Sequence, residues 1–237
     1  MIEKDRILLS TRRYVELPIQ EFLKEITGRK IKKPEVWAAV PWIFTDAYGY
    51  ENLNYFKKMF KEAEVEITCY RPAPYGYALY AGKNSFFRKA SLEYYYHCIG
   101  AAEELEASVM AIDLLVGPFD QNSDIQRKLI AEGLSALEER CWNRNISLVW
   151  KFNRYQGECL RDYLQETRRL YELLGNSKNR IGIEMDLNRS CESKEMVSDW
   201  FNSFKQDIWY ITGSKETEIF AEEAEKLGYS GFYGQDA

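Results

Sequence analysis

Two charged residues interrupt apolar stretches of the sequence. Asp113 lies within AIDLLV and Lys151 lies within LVWKF. A buried charge without a partner is very costly, so each group must be paired or must shift its pKa. One interpretation is an internal salt bridge among Asp113, Lys151 and Asp186. The other is a polar pocket in which the same carboxylates and amine act on a small molecule.

The elements around these residues alternate between short β-rich runs and amphipathic stretches. Runs such as SVMAIDLLV and ISLVWKF are almost continuously apolar, as expected for parallel strands covered on both faces. The 237 residues divide into eight strand-and-helix units of roughly 30 residues each. The predicted strands span residues 7–11, 35–41, 65–70, 108–114, 146–152, 180–186, 208–212 and 231–235.

Apolar residues at helical spacing predict helices between these strands. In SLEYYYHCIGAAEELEAS, Leu92, Tyr95, Ile99 and Leu105 follow the 3.6-residue period, and Ser91 is a weak start signal. A second long helix is expected in DIQRKLIAEGLSALEERCWNRN. The remaining predicted helices cover residues 50–63, 159–174, 192–206 and 216–227.

Eight such units favour one closed (β/α)8 barrel domain over residues 1–237. An open doubly wound sheet is the alternative, but no G-x-G-x-x-G follows the first strand, and GYALYAGKN does not fit a phosphate loop. Because the last strand is predicted to end close to Ala237, we expect a barrel that lacks the eighth outer helix. Its bottom groove would be covered by the N-terminal segment or by a second subunit.

The polar groups at the carboxyl ends of barrel strands are the candidate site, because barrel enzymes keep their chemistry there. This position favours the pocket over the plain salt bridge. Glu184 and Asp186 share one strand, and we expect only one of them to face the interior, favouring Asp186. The residues at the predicted ends and in their loops are Thr11, Arg12, Arg13, Trp42, Asp46, Tyr70, Arg71, Asp113, Lys151, Asn153, Arg154, Glu184, Asp186, Asn188, Arg189, Thr212, Ser214, Gln235 and Asp236.

Aromatic residues gather in the predicted loop after strand three. They could stack on the apolar face of a sugar ring, or pack on one another. These residues are Tyr75, Tyr77, Tyr80, Phe86 and Phe87.

Composition excludes several classes of protein. The net charge of −5 argues against general nucleic-acid binding, and the longest apolar run is too short to span a membrane. Five scattered cysteines without a C-x-x-C pattern do not predict a disulfide framework. We therefore expect a cytoplasmic protein, with neither a membrane nor nucleic acid as partner.

The sequence offers few residues suited to metal binding or to nucleophilic catalysis. The single histidine, His97, lies within a predicted outer helix, so a zinc site or a histidine-dependent triad is not expected. Carboxylate-only Mg²⁺ or Mn²⁺ binding through Glu184, Asp186 or Asp113 stays open but is not favoured.

In residues 65–152, VEITCYRPAPYG is followed by FFRKASLEYYYHCIGAAEELEASVMAID, in which Arg88, Ser91, Glu93 and Tyr94 form an R-x-x-S-x-E-Y pattern. Two later segments read GIEMDLNR and LGYSGFYGQD. Together these segments resemble the xylose-isomerase-like barrels, the superfamily of sugar and sugar-phosphate isomerases and epimerases. The match is strongest in residues 65–152; GIEMDLNR is similar to the family's strand-six D-x-x-H segment, and LGYSGFYGQD is similar to its approach to strand eight.

The metal ligands that this resemblance implies are mostly replaced. Family members hold a divalent ion with Glu, Asp, His and Glu from strands five to eight. Here those positions carry Lys151, Asp186, Thr212 and then Gln235 or Asp236. An ammonium among former ligands repels a divalent cation, so we expect no metal cofactor and an internal cation in its place.

Two functions remain open at this point. The first is a metal-independent isomerase or epimerase acting on a small hydroxy-carbonyl compound, with Lys151, Asp186 and Asp113 as catalytic groups. Lys151 would polarise the carbonyl, or act as an acid, base or Schiff-base nucleophile if burial lowers its pKa. The second is a non-catalytic barrel that serves as a binding subunit, a homodimer or a partner protein. For the enzyme, the substrate-binding residues would be Arg71, Arg189, Trp42, Tyr75 and Asn153.

Overall fold

The computed structural model describes residues 2–73, 82–115, 123–153 and 160–235. Tyr75, Tyr77, Tyr80, Arg154 and Asp236, all named above, lie outside these ranges. The strands are β1 (Ile7–Ser10), β2 (Lys33–Ala38), β3 (Cys69–Pro72), β4 (Val109–Leu115), β5 (Ser147–Asn153), β6 (Ile181–Asp186), β7 (Ile208–Gly213) and β8 (Phe232–Gln235). The helices are α1 (Ile19–Gly28), α2 (Asn54–Glu62), α3 (Ser85–Glu104), α4 (Ser123–Trp142), α5 (Leu160–Leu173), α6 (Leu187–Ser190), α7 (Lys194–Phe204) and α8 (Glu218–Lys226).

The eight strands form a closed parallel barrel. Each strand pairs with the next along the chain, and β8 closes the barrel by pairing with β1. The predicted barrel is therefore confirmed, with helices around it. Within the described residues no helix follows β8.

Strand β3 begins later than its apolar pattern predicts. Val65 and Ile67 are buried, but the regular ladder with β2 starts only at Cys69. Before it, the amides of Glu66 and Thr68 donate to the carbonyls of Lys32, just before β2, and Pro34, in its first residues. The segment thus lies beside β2 without forming the paired bonds of a strand.

Helix α3 starts at Ser85, and the start signal assigned to Ser91 is wrong. Asn84 caps the helix, since its side-chain oxygen accepts hydrogen bonds from the amides of Phe86 and Phe87. Asn is among the strongest N-cap residues, whereas Ser91 is buried within the helix. Phe86 and Phe87 consequently lie exposed in the first turn of α3 and not in the preceding loop.

Alternation along β5 decides which side chains enter the barrel. Val149 belongs to the small apolar cluster inside the barrel, while Trp150 and Phe152 belong to the large core between barrel and helices. Lys151, two residues after Val149, therefore points inward, because alternate residues of a strand share a face. The barrel interior is thus polar near the carboxyl ends of the strands and apolar nearer their amino ends.

The N-terminal segment is tied to the bottom of the barrel near β8. The guanidinium of Arg6 donates to the carbonyl of Gly231 at 3.0 Å and pairs with Glu225 at 2.8 Å. Cys69, Cys98, Cys141 and Cys191 are buried free thiols; Cys159 is outside the described residues. None of the described helices has the length and apolar character needed to cross a membrane.

Candidate functional site

Arg71 lies at the centre of the barrel mouth, the end formed by the carboxyl ends of the strands. Its guanidinium donates to Asp113 Oδ1, Glu35 Oε2 and Glu184 Oε2, each at 2.8 Å. Arg71 is only 3% exposed. Burial alone would lower its pKa, but the surrounding carboxylates raise it well above the ordinary value. Arg71 is therefore a permanent internal cation.

Lys151 is the second internal cation. Its ammonium lies 2.7 Å from Glu184 Oε1, 3.1 Å from Asp186 Oδ2 and 4.0 Å from Asp113 Oδ1. Burial would lower the pKa of Lys151, but Asp186, Glu184 and Asp113 raise it above its ordinary value. The lowered pKa that acid-base or Schiff-base chemistry requires is therefore not met, and Lys151 stays an ammonium.

Glu184 and Asp186 both face the interior, so the expectation that only one of them does so is wrong. Residues two apart on a strand point to the same side, and both carboxylates contact Lys151. Glu184 is fully buried, and it also accepts a hydrogen bond from the hydroxyl of Thr212 at 2.9 Å. It joins the two cations, because one of its oxygens meets Arg71 and the other meets Lys151.

Glu35 completes this charged cluster, which consists of Glu35, Arg71, Asp113, Lys151, Glu184 and Asp186. Besides Arg71, Glu35 Oε2 accepts a hydrogen bond from the hydroxyl of Tyr210 at 2.7 Å. Burial would raise the pKa of Glu35, but Arg71 overcomes this effect and, with the Tyr210 hydrogen bond, lowers it to about 2. The sequence did not point to Glu35, because the predicted strand began there. The strand in fact starts at Lys33, which puts Glu35 in the middle of an inward face with Trp37.

A small cavity opens above the cluster. Its volume is about 140 Å³, below the roughly 300 Å³ that drug-sized ligands need, so it suits a short molecule. The described residues that line it are Arg12, Glu35, Arg71, Asp113, Lys151, Asp186, Asn188, Arg189 and Thr212.

Asp186, which lines this cavity, has one oxygen without a hydrogen-bond partner among the described residues. Its Oδ2 lies 3.1 Å from Lys151 and 3.6 Å from Nε of Arg189. Its Oδ1 is buried and has no hydrogen-bond partner among the described residues. Because an unsatisfied buried oxygen costs free energy, it marks a place for a donor that the described protein groups do not supply.

The remaining predicted substrate-binding residues separate into three groups. Arg71 and Arg189 line the cavity, but Arg71 is committed to three carboxylates. Trp42 does not line it; its indole packs against Phe22 and donates to the carbonyl of Leu17. Asn153 ends β5, its side chain being outside the described part, as is all of Tyr75.

The residues present do not fit the divalent ion that the family resemblance implies. Of the four implied ligand positions, Lys151 and Thr212 offer no carboxylate or imidazole, and Asp186 is already beside an ammonium. A metal at this place would have to approach two fixed cations at close range. In the described part of the chain, no three His, Cys, Asp or Glu side chains are arranged to hold a metal.

Sequence comparison finds no relative: no protein-family model and no curated protein matches the chain. Solved structures match along almost its whole length. The chain is similar to 3-keto-D-glucoside 4-epimerase from E. coli, with 15% identity, a TM-score of 0.72, and coverage of 98% of this chain and 91% of the other. It is similar to a D-psicose 3-epimerase studied with D-fructose, with 11% identity, a TM-score of 0.76 and coverage of 98% and 84%.

A family 2 AP endonuclease from Brucella melitensis has the same fold. It is 12% identical with a TM-score of 0.70, and the match covers 98% of this chain and 92% of the other. The chain thus shares the (β/α)8 barrel fold of these structures, the fold that its sequence resemblance implied. Since this fold carries both sugar epimerases and an endonuclease, its activity has to be argued from the site.

Proposed function

We propose that the barrel mouth binds a short hydroxy-carbonyl compound of the sugar class and moves a proton next to its carbonyl group, without a divalent metal. The observation that carries this proposal is the state of Asp186, a residue of the cavity lining: its Oδ2 lies 3.1 Å from the ammonium of Lys151, and its buried Oδ1 has no hydrogen-bond partner among the described residues. A carboxylate oxygen and a fixed cation together are the groups that such a proton transfer needs.

Lys151 acts electrostatically in this reaction. Its ammonium hydrogen-bonds the carbonyl oxygen of the substrate and stabilises the negative charge that grows there. The raised pKa suits this role, because the group stays charged and does not lose its proton. Glu184 fixes the ammonium in place at 2.7 Å.

Asp186 has the proton-transfer part. Its Oδ1 takes the proton from the carbon next to the carbonyl, and the electron pair of that C–H bond forms the C=C bond of an enolate. The carbonyl π electrons move onto the oxygen beside Lys151. Return of the proton to the opposite face of the same carbon restores the carbonyl and gives an epimer. Return of the proton to the former carbonyl carbon gives an isomer when the hydroxyl on the carbon that lost the proton gives its own proton to the enolate oxygen, so that the new C=O bond forms at that carbon. Asp113, 4.0 Å from Lys151, is the second carboxylate near the reacting atoms.

Two neighbours in fold are sugar epimerases by name, which supports the substrate class. The acidic net charge of −5 supports neither nucleic acid nor the endonuclease activity found on this fold. The small cavity supports a short substrate over a long one.

A non-catalytic binding barrel is the second candidate. It is favoured by the internal pairing of the cluster, since the single guanidinium of Arg71 pairs with three of its carboxylates. Such a network can stabilise the fold by filling the barrel interior, or it can form part of a binding site. Proton exchange distinguishes the two functions.

The test is hydrogen–deuterium exchange at carbon. The wild-type protein is incubated in D₂O with short aldoses, ketoses and their phosphates, and NMR follows the C–H signal next to the carbonyl. We expect exchange with the wild type, and a loss of at least about 100-fold for Asp186→Asn and Lys151→Met. Asp199→Asn and Lys205→Met, both exposed and outside the cavity, are the matched controls and keep full exchange. Binding of a sugar without exchange would favour the binding barrel.

A further inference from the structure

Arg12 is the one lining cation without a carboxylate partner in the described structure. It follows β1 directly, in the short turn Arg12–Tyr14, and its side chain is exposed at the rim of the cavity. The other three lining cations all lie near carboxylates: Arg71 and Lys151 within the charged cluster, and Arg189 at 3.6 Å from Asp186. No described carboxylate forms an ion pair with Arg12.

An aromatic ring holds this guanidinium in position. Arg12 lies over the ring of Trp37 at 5.4 Å from its centroid. Trp37 is itself buried, and its backbone amide donates to the hydroxyl of Thr11 at 2.9 Å, which ties the end of β1 to β2. Stacking of this kind covers the face of the guanidinium and leaves the N–H groups on its edge free to donate.

A second donor group lies on the same lining. Asn188 uses its side-chain oxygen to accept hydrogen bonds from the amide of Ser214 and the hydroxyl of Thr217, both at 3.2 Å. This leaves the NH₂ of Asn188 as a donor, and the residue lines the cavity with Arg12. The two groups therefore offer positive charge and N–H donors to the same ligand.

The cavity joins this rim to the floor where Lys151 and Asp186 lie. The side chain of Lys151 is 11% exposed whereas Arg12 is exposed, so they mark the inner and outer ends of the space. A short molecule with its carbonyl at Lys151 would place its other end at Arg12. At neutral pH a phosphate monoester brings nearly two negative charges and three acceptor oxygens.

We infer that Arg12 is the specificity-determining residue of this site and selects substrates that carry a phosphate group at the end remote from the carbonyl. This inference rests on the proposed function for the identity of the substrate, but the phosphate subsite is a property of Arg12 and Asn188. Guanidinium groups are suited to phosphate because two parallel N–H donors match two of its oxygens.

The experiment is calorimetric titration with inorganic phosphate as the probe. We expect binding to the wild type, at least about 10-fold weaker binding to Arg12→Met, and partial recovery in Arg12→Lys, which keeps the charge but not the fork. Arg13→Met is the matched control: Arg13 is the next residue, is equally exposed and does not line the cavity, so its affinity stays at the wild-type level.

Three results would overturn the inference: no phosphate binding by the wild type, equal binding by Arg12→Met, or an equal loss in Arg13→Met. Tighter binding of glycerate than of phosphate would also overturn it, because the subsite would then select a carboxylate. Failure of the proposed function has a different signature. In that case phosphate binding still depends on Arg12, while no compound undergoes carbon-bound proton exchange.

Discussion

Replacing Arg71 with methionine removes the guanidinium that three buried carboxylates share. Methionine fills a similar volume, so the main change is the loss of one charge and its hydrogen bonds. Glu35 would keep the Tyr210 hydroxyl, and Glu184 would keep Lys151, but Asp113 would have only the ammonium at 4.0 Å.

The size of the effect follows from the burial of these groups. Arg71, Glu35 and Glu184 have side-chain exposures of 4%, 6% and 0%, so water cannot replace the lost partner. Breaking a buried pair by removing one member typically costs about 3–5 kcal/mol. We therefore expect Arg71→Met to lower the free energy of unfolding by about 3–5 kcal/mol near neutral pH. Arg29→Met, which breaks an exposed pair with Glu25, should cost no more than about 1 kcal/mol.

The dependence on pH has a definite sign. Without Arg71, burial raises the pKa of Glu35 above its unfolded value. The protonated form then favours the folded state below that value, and the benefit is lost as the pH rises through the raised pKa. Arg71→Met should therefore regain stability from neutral pH to about pH 5.

Urea unfolding followed by tryptophan fluorescence measures both effects. The double variant Arg71→Met with Glu35→Gln should recover part of the loss, because it removes one uncompensated charge. If Arg71→Met does not fold, Arg71→Lys is measured in its place, and its free energy of unfolding should fall by a smaller amount. Equal losses for Arg71→Met and Arg29→Met, or a pH profile like that of the wild type, would refute this account of the cluster.

Three further predictions concern stability. The pKa of Glu35 is lowered from 4.5 to about 2, so its contribution to the free energy of unfolding is complete above about pH 4.5 and is lost as the pH falls through 2. In urea unfolding at a series of pH values, the stability of Glu35→Gln should therefore fall less steeply at acid pH than that of the wild type. Asn84→Ala should cost about 1 kcal/mol in the same assay, because α3 loses its N-cap, and Asn84→Ser should restore it. Gly182→Ala should cost about 1–3 kcal/mol, since a Cβ there would collide with the Trp209 ring; relief by Trp209→Leu would confirm the cause, and unchanged stability would disprove it.

The fold could be predicted from periodicity alone, because each strand of a parallel barrel is buried on both faces and reads as an apolar run. The strands β4 and β5 were predicted to within one residue of their observed limits for this reason. Helix starts were harder. The cap of α3 depends on one asparagine side chain, and a serine six residues inside the helix gave a competing signal.

Individual charged residues of the site could be predicted from the sequence, but the ion pairs between them could not. Asp113 and Lys151 stood out because a charge inside an apolar run is rare, and the structure brings them together. The partner of a buried charge comes from another strand, however, usually the neighbouring one and in the pair Arg71–Glu184 one across the barrel, and such pairing leaves no local pattern. Arg71 was therefore expected to bind substrate, whereas the structure commits it to three carboxylates.

Glu35 illustrates the same limit. A shift of two residues in the predicted start of β2 was enough to hide an inward-facing carboxylate. The local sequence KPEVWA does contain the period-two signal, since Glu35 and Trp37 share a face. Only the register between β2 and β3, in which Trp37 pairs with Arg71, shows that Arg71 lies next to this face.

On the proposed function, Arg71 and Lys151 supply the positive charge at the barrel mouth that a divalent ion would supply in the family that the sequence resembles. Thermal unfolding of the wild-type protein with EDTA, with Mg²⁺ and with Mn²⁺ tests it most directly, with exchange at carbon measured in the same samples. We expect the same Tm and the same exchange rate in all three conditions. A higher Tm with Mn²⁺ that EDTA reverses, together with exchange that requires the metal, would contradict it.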